Sequence, residues 1–593
     1  MTLETRSAGE VAVDQALTDW SRVVARTLVD AGIRKLIASP GSRSTPFLIS
    51  CLREPLLEVH HVLDERSAAF VALGAARVRG EPIAVLATSG TAPAHWYPAI
   101  IEASLANHPI VFLSADRPTE QGFCGAAQTI DQTHLFGRHV RFFADPGNPE
   151  GTPSALFGLR RLLHQAIAHA KGPIPGPVHI NLRARKPLEP KATTSLALDA
   201  VLAVPLPKTE VRLTESAESL DLAAELLSRA ERPLFVVGPL APTEDVDALL
   251  HLVGALGAVL SAESTSQLRF APRSEPGHKA LARFDSLDGW LRVGLFEIHP
   301  ELQPDLVIQC GAEPTSASYE RWIARAKPNR IVLGTTTWND PSGTARAILR
   351  GPLGEVARAL ETRLIPGERS EAWARDLSAR DERITAALEQ GSEPWSEAAI
   401  ARTTLRAMPS QTRLVLGNSL PIRMVDRYAQ TSEAIEVVHQ RGANGIDGFL
   451  AQTYGAMLAA PRNTVVLIGD CTFLHDTGSL LSLRRTTTPV VIVVVQNGGG
   501  RIFETLPVAR AAPEAMPFFV TEEEVELASL ARAYGVRYAR VVEASQLSDA
   551  ITRGLKQSGV SIVEAVVEAH GAIKLDAMAD ALFRGHLHSR GIA

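Results

Sequence analysis

The run "VVIVVVQ" (490–496) is apolar at six of its seven positions and does not alternate. A strand like that has no face to give to water, so helices must cover it on both sides, which is the situation of a strand inside a parallel sheet. The same signature recurs along the chain. "RKLIAS" (34–39), "IAVLAT" (83–88), "IVFLS" (110–114) and "VHINL" (178–182) form one set. "LFVVG" (234–238), "DLVIQC" (305–310) and "RIVLG" (330–334) form a second. "RLVLGNS" (413–419), "TVVLIGD" (464–470), "VVIVVVQN" (490–497) and "SIVEAVV" (561–567) form a third. Between them lie helical stretches such as "RSAAFVALGAARVRG" (66–80). The fold class expected is therefore α/β, with doubly wound parallel sheets.

With 593 residues the chain is too long for one core. Pro- and Lys-rich stretches at 183–195 and 204–211 read as a linker. A highly charged stretch at 363–383 reads as the join between the second block and the third. Three α/β domains are expected at about 1–190, 212–365 and 385–593. A net charge of −5 offers no basic stripe for nucleic acid. The four cysteines are scattered, which argues against a disulfide framework or a zinc site and fits a reducing cytosol. No apolar run approaches the ~18 residues of a membrane span, and the N-terminus has no signal-peptide pattern. A cytoplasmic protein with no membrane insertion is expected.

Two of the strands end in polar atoms. "TVVLIGD" stops at Asp470 and "VVIVVVQN" at Asn497, 497 − 470 = 27 positions later, with Gly498, Gly499 and Gly500 behind it. Ligands of open α/β sheets sit at the carboxyl ends of strands. A carboxylate and an amide there offer hard oxygen ligands that suit Mg²⁺, whose remaining positions commonly go to phosphate oxygens. Taken singly, Asp470 reads as well as a helix cap, and "NGGG" as a plain turn. Together they favour a metal–diphosphate site.

The G-D-x motif followed by an Asn-containing turn resembles the metal–diphosphate motif of thiamine-diphosphate enzymes. The resemblance implies that Asp470, Asn497 and the backbone of Gly499 hold Mg²⁺, with Mn²⁺ as the alternative ion, against the diphosphate of thiamine diphosphate. Thr472 joins the cofactor contacts. The resemblance also puts the family's activating acid at Glu65, in "HHVLDERSAAF", hydrogen-bonded to the aminopyrimidine ring so that the C2 proton can leave. On the residues alone, Asp64 or Glu65 reads equally as a cap on the helix that follows. Ile446, in "RGANGIDG", would be the apolar residue under the bent cofactor.

The motifs "SPGSRSTPF" (39–47), "SADRP" (114–118), "GAAQTIDQ" (125–132), "GNSLPIR" (417–423), "RGANGIDG" (441–448) and "GGGRIFETLP" (498–507) occur in one order. Together they resemble the menaquinone-pathway 2-succinyl-5-enolpyruvyl-6-hydroxy-3-cyclohexene-1-carboxylate synthase family. That resemblance implies decarboxylation of 2-oxoglutarate and conjugate addition of the resulting succinyl-semialdehyde carbanion to isochorismate. Both substrates carry carboxylates, which guanidinium forks recognise well. Asn418, Ser419 and Arg423 would hold the distal carboxylate of 2-oxoglutarate, and Ser42, Arg43, Arg117 and Gln128 would hold isochorismate. Arg441, heading the glycine loop, belongs to the same substrate set. The superfamily pattern further implies a homodimer or homotetramer, in which Glu65 meets Asp470 of the partner subunit. The chain departs from the family in having Ala127, Ala317 and Cys471-Thr472 where Asn, Lys and Leu-Ser are usual. Another thiamine-dependent 2-oxo-acid decarboxylase or carboligase would share Glu65, Asp470 and Asn497 but would not need the arginines. A catalytically silent thiamine-diphosphate-binding regulator would not need Glu65.

Overall fold

The computed structural model describes residues 8–588, apart from 194, 210, 271–280, 366 and 432. The described residues form three six-stranded sheets in which every pairing is parallel. The first contains β1 (Lys35–Ser39), β2 (Glu58–His61), β3 (Ile83–Ala87), β4 (Ile110–Asp116), β5 (Phe142–Ala144) and β6 (Pro177–Arg183), in the order β2-β1-β3-β4-β6-β5. The second contains β7 (Pro233–Val237), β8 (Val259–Ala262), β9 (Ala282–Arg283), β10 (Leu306–Cys310), β11 (Arg330–Thr335) and β12 (Ala347–Arg350), in the order β12-β11-β10-β7-β8-β9. The third contains β13 (Arg413–Leu416), β14 (Glu436–Val438), β15 (Thr464–Gly469), β16 (Val490–Gln496), β17 (Arg537–Val541) and β18 (Val560–Val566), in the order β14-β13-β15-β16-β18-β17.

The first and third sheets share one winding order. In it the chain reverses direction between β1 and β3, and again between β13 and β15. Such switch points open a crevice at the carboxyl ends of the strands. They set where a ligand can enter.

The chain clusters into two compact units. Unit 1 runs to Arg212 and takes in Gln440–Pro461 and Asp476–Leu483, and unit 2 holds the second and third sheets. Arg441 and Ile446 thus pack with the first sheet's unit, although they lie within the segment expected as the third domain. The cause is the helix Phe449–Ala459, which lies along the helix Glu65–Arg79 with two glycines at the crossing. A Cβ on Gly74 would come within 2.0 Å of the Gln452 carbonyl, and one on Gly455 within 1.8 Å of the Val71 carbonyl. Only glycine permits that approach.

The helix expected at 66–80 is observed at Glu65–Arg79, closed by Gly80 in the left-handed region at φ 67°. The charged stretch at 363–383 is more than a join. It opens the helix Glu371–Gly391, which buries Trp373, Leu377, Ile384 and Leu388 against the core of unit 2. Arg375 and Glu371 pair on its exposed face, whereas Arg380 and Asp381 are buried with the apolar residues and Arg380 pairs with Asp376 four residues away.

Candidate active site

In unit 2, β15 and β16 are neighbours, with Gly469 opposite Val495, so Asp470 and Asn497 emerge side by side. Asp470 is buried and opens the short helix Asp470–His475. Its Oδ1 accepts from the Cys471 N–H at 2.7 Å, and its Oδ2 from the N–H groups of Gly498 at 3.0 Å and Gly499 at 2.7 Å. Burial pushes its carboxyl above the usual range, against those three bonds, which pull it down. A buried carboxylate to which no cationic side chain among the described residues is bonded suits a bound cation. Gly499 has φ 106°, and a Cβ there would lie 2.2 Å from the Val520 carbonyl, so the turn closes only because position 499 is glycine. Thr472 is buried on the same short helix. The Cys471 thiol is pushed up to about 11, chiefly by burial, so it stays protonated and is no nucleophile at neutral pH.

The Asn497 carboxamide is also buried, and its Nδ2 donates to Oε1 of Glu397. On the other side of β15 lies β13, followed by buried Asn418 and by Ser419, which has φ 70° and opens the helix Leu420–Tyr428. Arg423, one turn on, donates from Nη1 to the Ser419 carbonyl at 2.6 Å. Asn418, Ser419, Arg423, Asp470, Thr472, Asn497 and Gly499 thus all lie at the carboxyl ends of β13, β15 and β16. Among the described residues no three His, Cys, Asp or Glu side chains converge on a metal. Asp470 with neutral oxygens beside it is a donor set that would suit Mg²⁺, for which diphosphate oxygens would supply further ligands. The residues present fit the ion and the diphosphate.

Unit 1 gathers the second group. Asp64 caps the helix Glu65–Arg79, accepting from the N–H groups of Arg66 at 2.8 Å and Ser67 at 3.3 Å. Capping is therefore done by Asp64, and the half-buried Glu65 carboxylate has no hydrogen bond or ion pair to another described residue. Ser42 is exposed, whereas Arg43 is 2% exposed and donates from Nη1 to the Ala184 carbonyl at 2.6 Å. Arg117 donates from Nη2 to the Ala127 carbonyl at 3.0 Å. The Nε of Arg43 and that of Arg117 are buried without an acceptor. Gln128, at φ 57°, is stitched to Ser89 by two bonds of 3.2 Å. The loops after β3 and β4 are joined through Ser89 and Gln128, and Gly41, next to Ser42 and Arg43, packs closely on Thr88 at the end of β3.

Three supporting residues escaped sequence reading. Gln132 accepts from the Gly90 N–H at 3.2 Å and donates to Asn181 at 2.8 Å, fixing the "TSGT" turn. Glu102 accepts from the N–H groups of Gly442 at 3.1 Å and Ala443 at 2.6 Å, and pairs with Arg77 at 2.8 Å. It thereby holds the loop carrying Arg441 and the half-buried Ile446. Glu397 stands 100 positions from Asn497, and no local pattern links the two.

Comparison with known proteins decides the family. The N-terminal thiamine pyrophosphate-binding domain of thiamine pyrophosphate enzymes matches residues 18–135, and the C-terminal one matches residues 423–565. A 2-succinyl-5-enolpyruvyl-6-hydroxy-3-cyclohexene-1-carboxylate synthase from Sorangium cellulosum is 41% identical over 93% of both chains. Proteins of the same name from Halobacterium salinarum and Geobacillus kaustophilus are 35% and 34% identical, over 94% and 93% of this chain and 96% and 95% of theirs. The chain belongs to the 2-succinyl-5-enolpyruvyl-6-hydroxy-3-cyclohexene-1-carboxylate synthase family. A solved structure from Mycobacterium smegmatis, described as a candidate thiamin diphosphate-dependent enzyme, superposes with a TM-score of 0.68 at 17% identity, over 93% of this chain and 99% of the other. That likeness bears on the fold alone. In this synthase chain the first domain match spans Arg43, Glu65, Arg117 and Gln128, and the second spans Arg423, Arg441, Ile446, Asp470, Asn497 and Gly499. No helix among the described residues is long and apolar enough to cross a membrane.

Proposed function

We propose that the protein joins the succinyl unit of 2-oxoglutarate, after loss of CO₂, to isochorismate, forming 2-succinyl-5-enolpyruvyl-6-hydroxy-3-cyclohexene-1-carboxylate in menaquinone biosynthesis. The observation that carries this reading is the match over 93% of both chains to a synthase of that name. The domain boundaries at 190, 212, 365 and 385, the cytoplasmic location and the homodimeric or homotetrameric state are parts of the same proposal.

Thiamine diphosphate, when bound, supplies the electron sink that lets a 2-oxo acid lose CO₂. Asp470, the Asn497 amide oxygen and the Gly499 backbone would hold Mg²⁺ or Mn²⁺ against its diphosphate, and Thr472 and Ile446 would contact it. Glu65 would supply the carboxyl that bonds the aminopyrimidine ring. Support comes from Asp64, which takes the capping role and leaves Glu65 unpartnered among the described residues. Arg423, with Asn418 and Ser419, would orient 2-oxoglutarate through its distal carboxylate. Arg43 and Arg117 would turn their unsatisfied Nε–H groups to isochorismate, beside Ser42 and Gln128. Arg441 would add a further guanidinium to the substrates.

The experiment is direct. Protein, thiamine diphosphate, Mg²⁺, 2-oxoglutarate and isochorismate are mixed, and the product is identified by mass. The adduct of the two substrates less CO₂ is expected. CO₂ and succinic semialdehyde alone, with isochorismate unconsumed, would return the enzyme to a simple 2-oxo-acid decarboxylase.

A further inference from the structure

Glu397 has no place in the sequence motifs, yet the residue is 3% exposed and its carboxyl accepts from Asn497 of the candidate metal site. Ser396 already caps its helix, Glu397–Arg406, accepting from the Ala399 N–H at 3.2 Å. Glu397 is thus not needed as the cap. The preceding turn is fastened by the Trp395 indole, which donates to the Val566 carbonyl at 2.7 Å. Val566 lies opposite Gln496 in the β16–β18 pairing, and the Val567 N–H donates to the Gln496 carbonyl at 3.0 Å. This chain of contacts delivers Glu397 to the residue after Gln496, which is Asn497.

We propose that Glu397 is a positioning residue for the metal: it grips the Asn497 carboxamide by its nitrogen and so commits the amide oxygen to the ion. The inference rests on the thiamine-diphosphate reading of the site. An amide presents a donor on one side and an acceptor on the other, and only the acceptor can ligate a cation. A buried Asn without a fixed partner would divide its time between the two orientations. Oε1 of Glu397 is an acceptor whether or not the carboxyl carries a proton, because Oε2, which is buried without a partner, is where a proton would reside. The orientation of Asn497 is therefore held in either charge state. Partners of this kind, one step removed from the ion, typically change metal affinity 10- to 100-fold when removed.

The test follows thiamine-diphosphate binding to the apoenzyme by calorimetry across a Mg²⁺ series, a readout independent of turnover. Glu397→Ala should raise the Mg²⁺ needed for half-maximal binding by roughly 10- to 100-fold. Glu397→Gln, whose Oε1 can still accept from Asn497, should stay far closer to the parent than Glu397→Ala does. A polarity swap keeps the test usable if Glu397→Ala does not fold. Asn497→Asp alone should weaken binding by placing two acceptors face to face, and adding Glu397→Gln should recover most of the loss. Equal losses in Glu397→Ala and Glu397→Gln would overturn the proposal, as would a swap with no recovery. Unchanged Mg²⁺ dependence in Glu397→Ala would do the same. Asp470→Ala run alongside separates the two readings: parent-like binding in that variant counts against the metal site itself, whatever Glu397 does.

Discussion

At the scale of single residues, the roles proposed for the arginines would divide the reaction into halves that can be measured apart. A hydrogen bond to a charged group is worth about 1.5–3 kcal/mol, so one lost guanidinium should cost roughly 10- to 150-fold. Arg423→Ala should slow CO₂ release from 2-oxoglutarate before any isochorismate is added. Arg43→Ala and Arg117→Ala should release that CO₂ normally and then show a raised requirement for isochorismate. Stopped-flow measurement in two additions separates the steps, and equal failure of all three variants at the first would refute the division. His179 gives a pH prediction of a different kind. Burial holds its imidazole down to about 3, outweighing a raising influence from Asp145, and it bonds Ser114 at 2.7 Å in the neutral state. The unfolded chain would take up a proton near the usual 6.5, so the stabilising contribution is complete above that pH and is lost as pH falls toward about 3. Between pH 6.5 and 5 the cost is roughly 2 kcal/mol at ~1.4 kcal/mol per unit. Denaturant midpoints at pH 7 and pH 5 should therefore converge in His179→Gln relative to the parent, and an unchanged difference would count against the assignment.

Elements were legible in the sequence to the extent that they are buried on both faces. The eleven strands expected from continuous apolar runs are all strands in the described residues. Seven observed strands carry no such signal, and six of them, β2, β5, β9, β12, β14 and β17, are the edges of the three sheets. An edge strand is covered less fully and has no need of an unbroken apolar run: "EVHH" of β2 is partly exposed throughout. The one interior omission, β8, is only four residues long. The candidate site residues follow the same logic. Asp470, Asn497 and Arg423 stand at the ends of legible strands, whereas Glu397, Glu102 and Gln132 act through contacts that only the folded chain creates. Helix packing offers the test at this scale. Gly455→Ala would drive a methyl into the Val71 carbonyl, and overpacking of that kind costs about 1–3 kcal/mol. A melting temperature unchanged from the parent would contradict the observed crossing of Glu65–Arg79 and Phe449–Ala459.

For the whole molecule, the proposed homo-oligomer, in which Glu65 would meet Asp470 of the partner subunit, can be tested by dilution. Specific activity should fall on dilution through the dissociation range, in step with the loss of dimer followed by light scattering. A monomer with full specific activity would refute the shared site. The central claim is that a Glu65 carboxyl activates thiamine diphosphate held through Asp470. Exchange of the cofactor C2 proton for deuterium, followed by NMR in quenched samples, reads that activation without either substrate. Glu65→Gln should bind thiamine diphosphate and Mg²⁺ as the parent does, yet exchange slower by about 10²–10⁴-fold, the usual worth of a positioned acid–base group. Exchange at the parental rate in a fully loaded Glu65→Gln enzyme would contradict it.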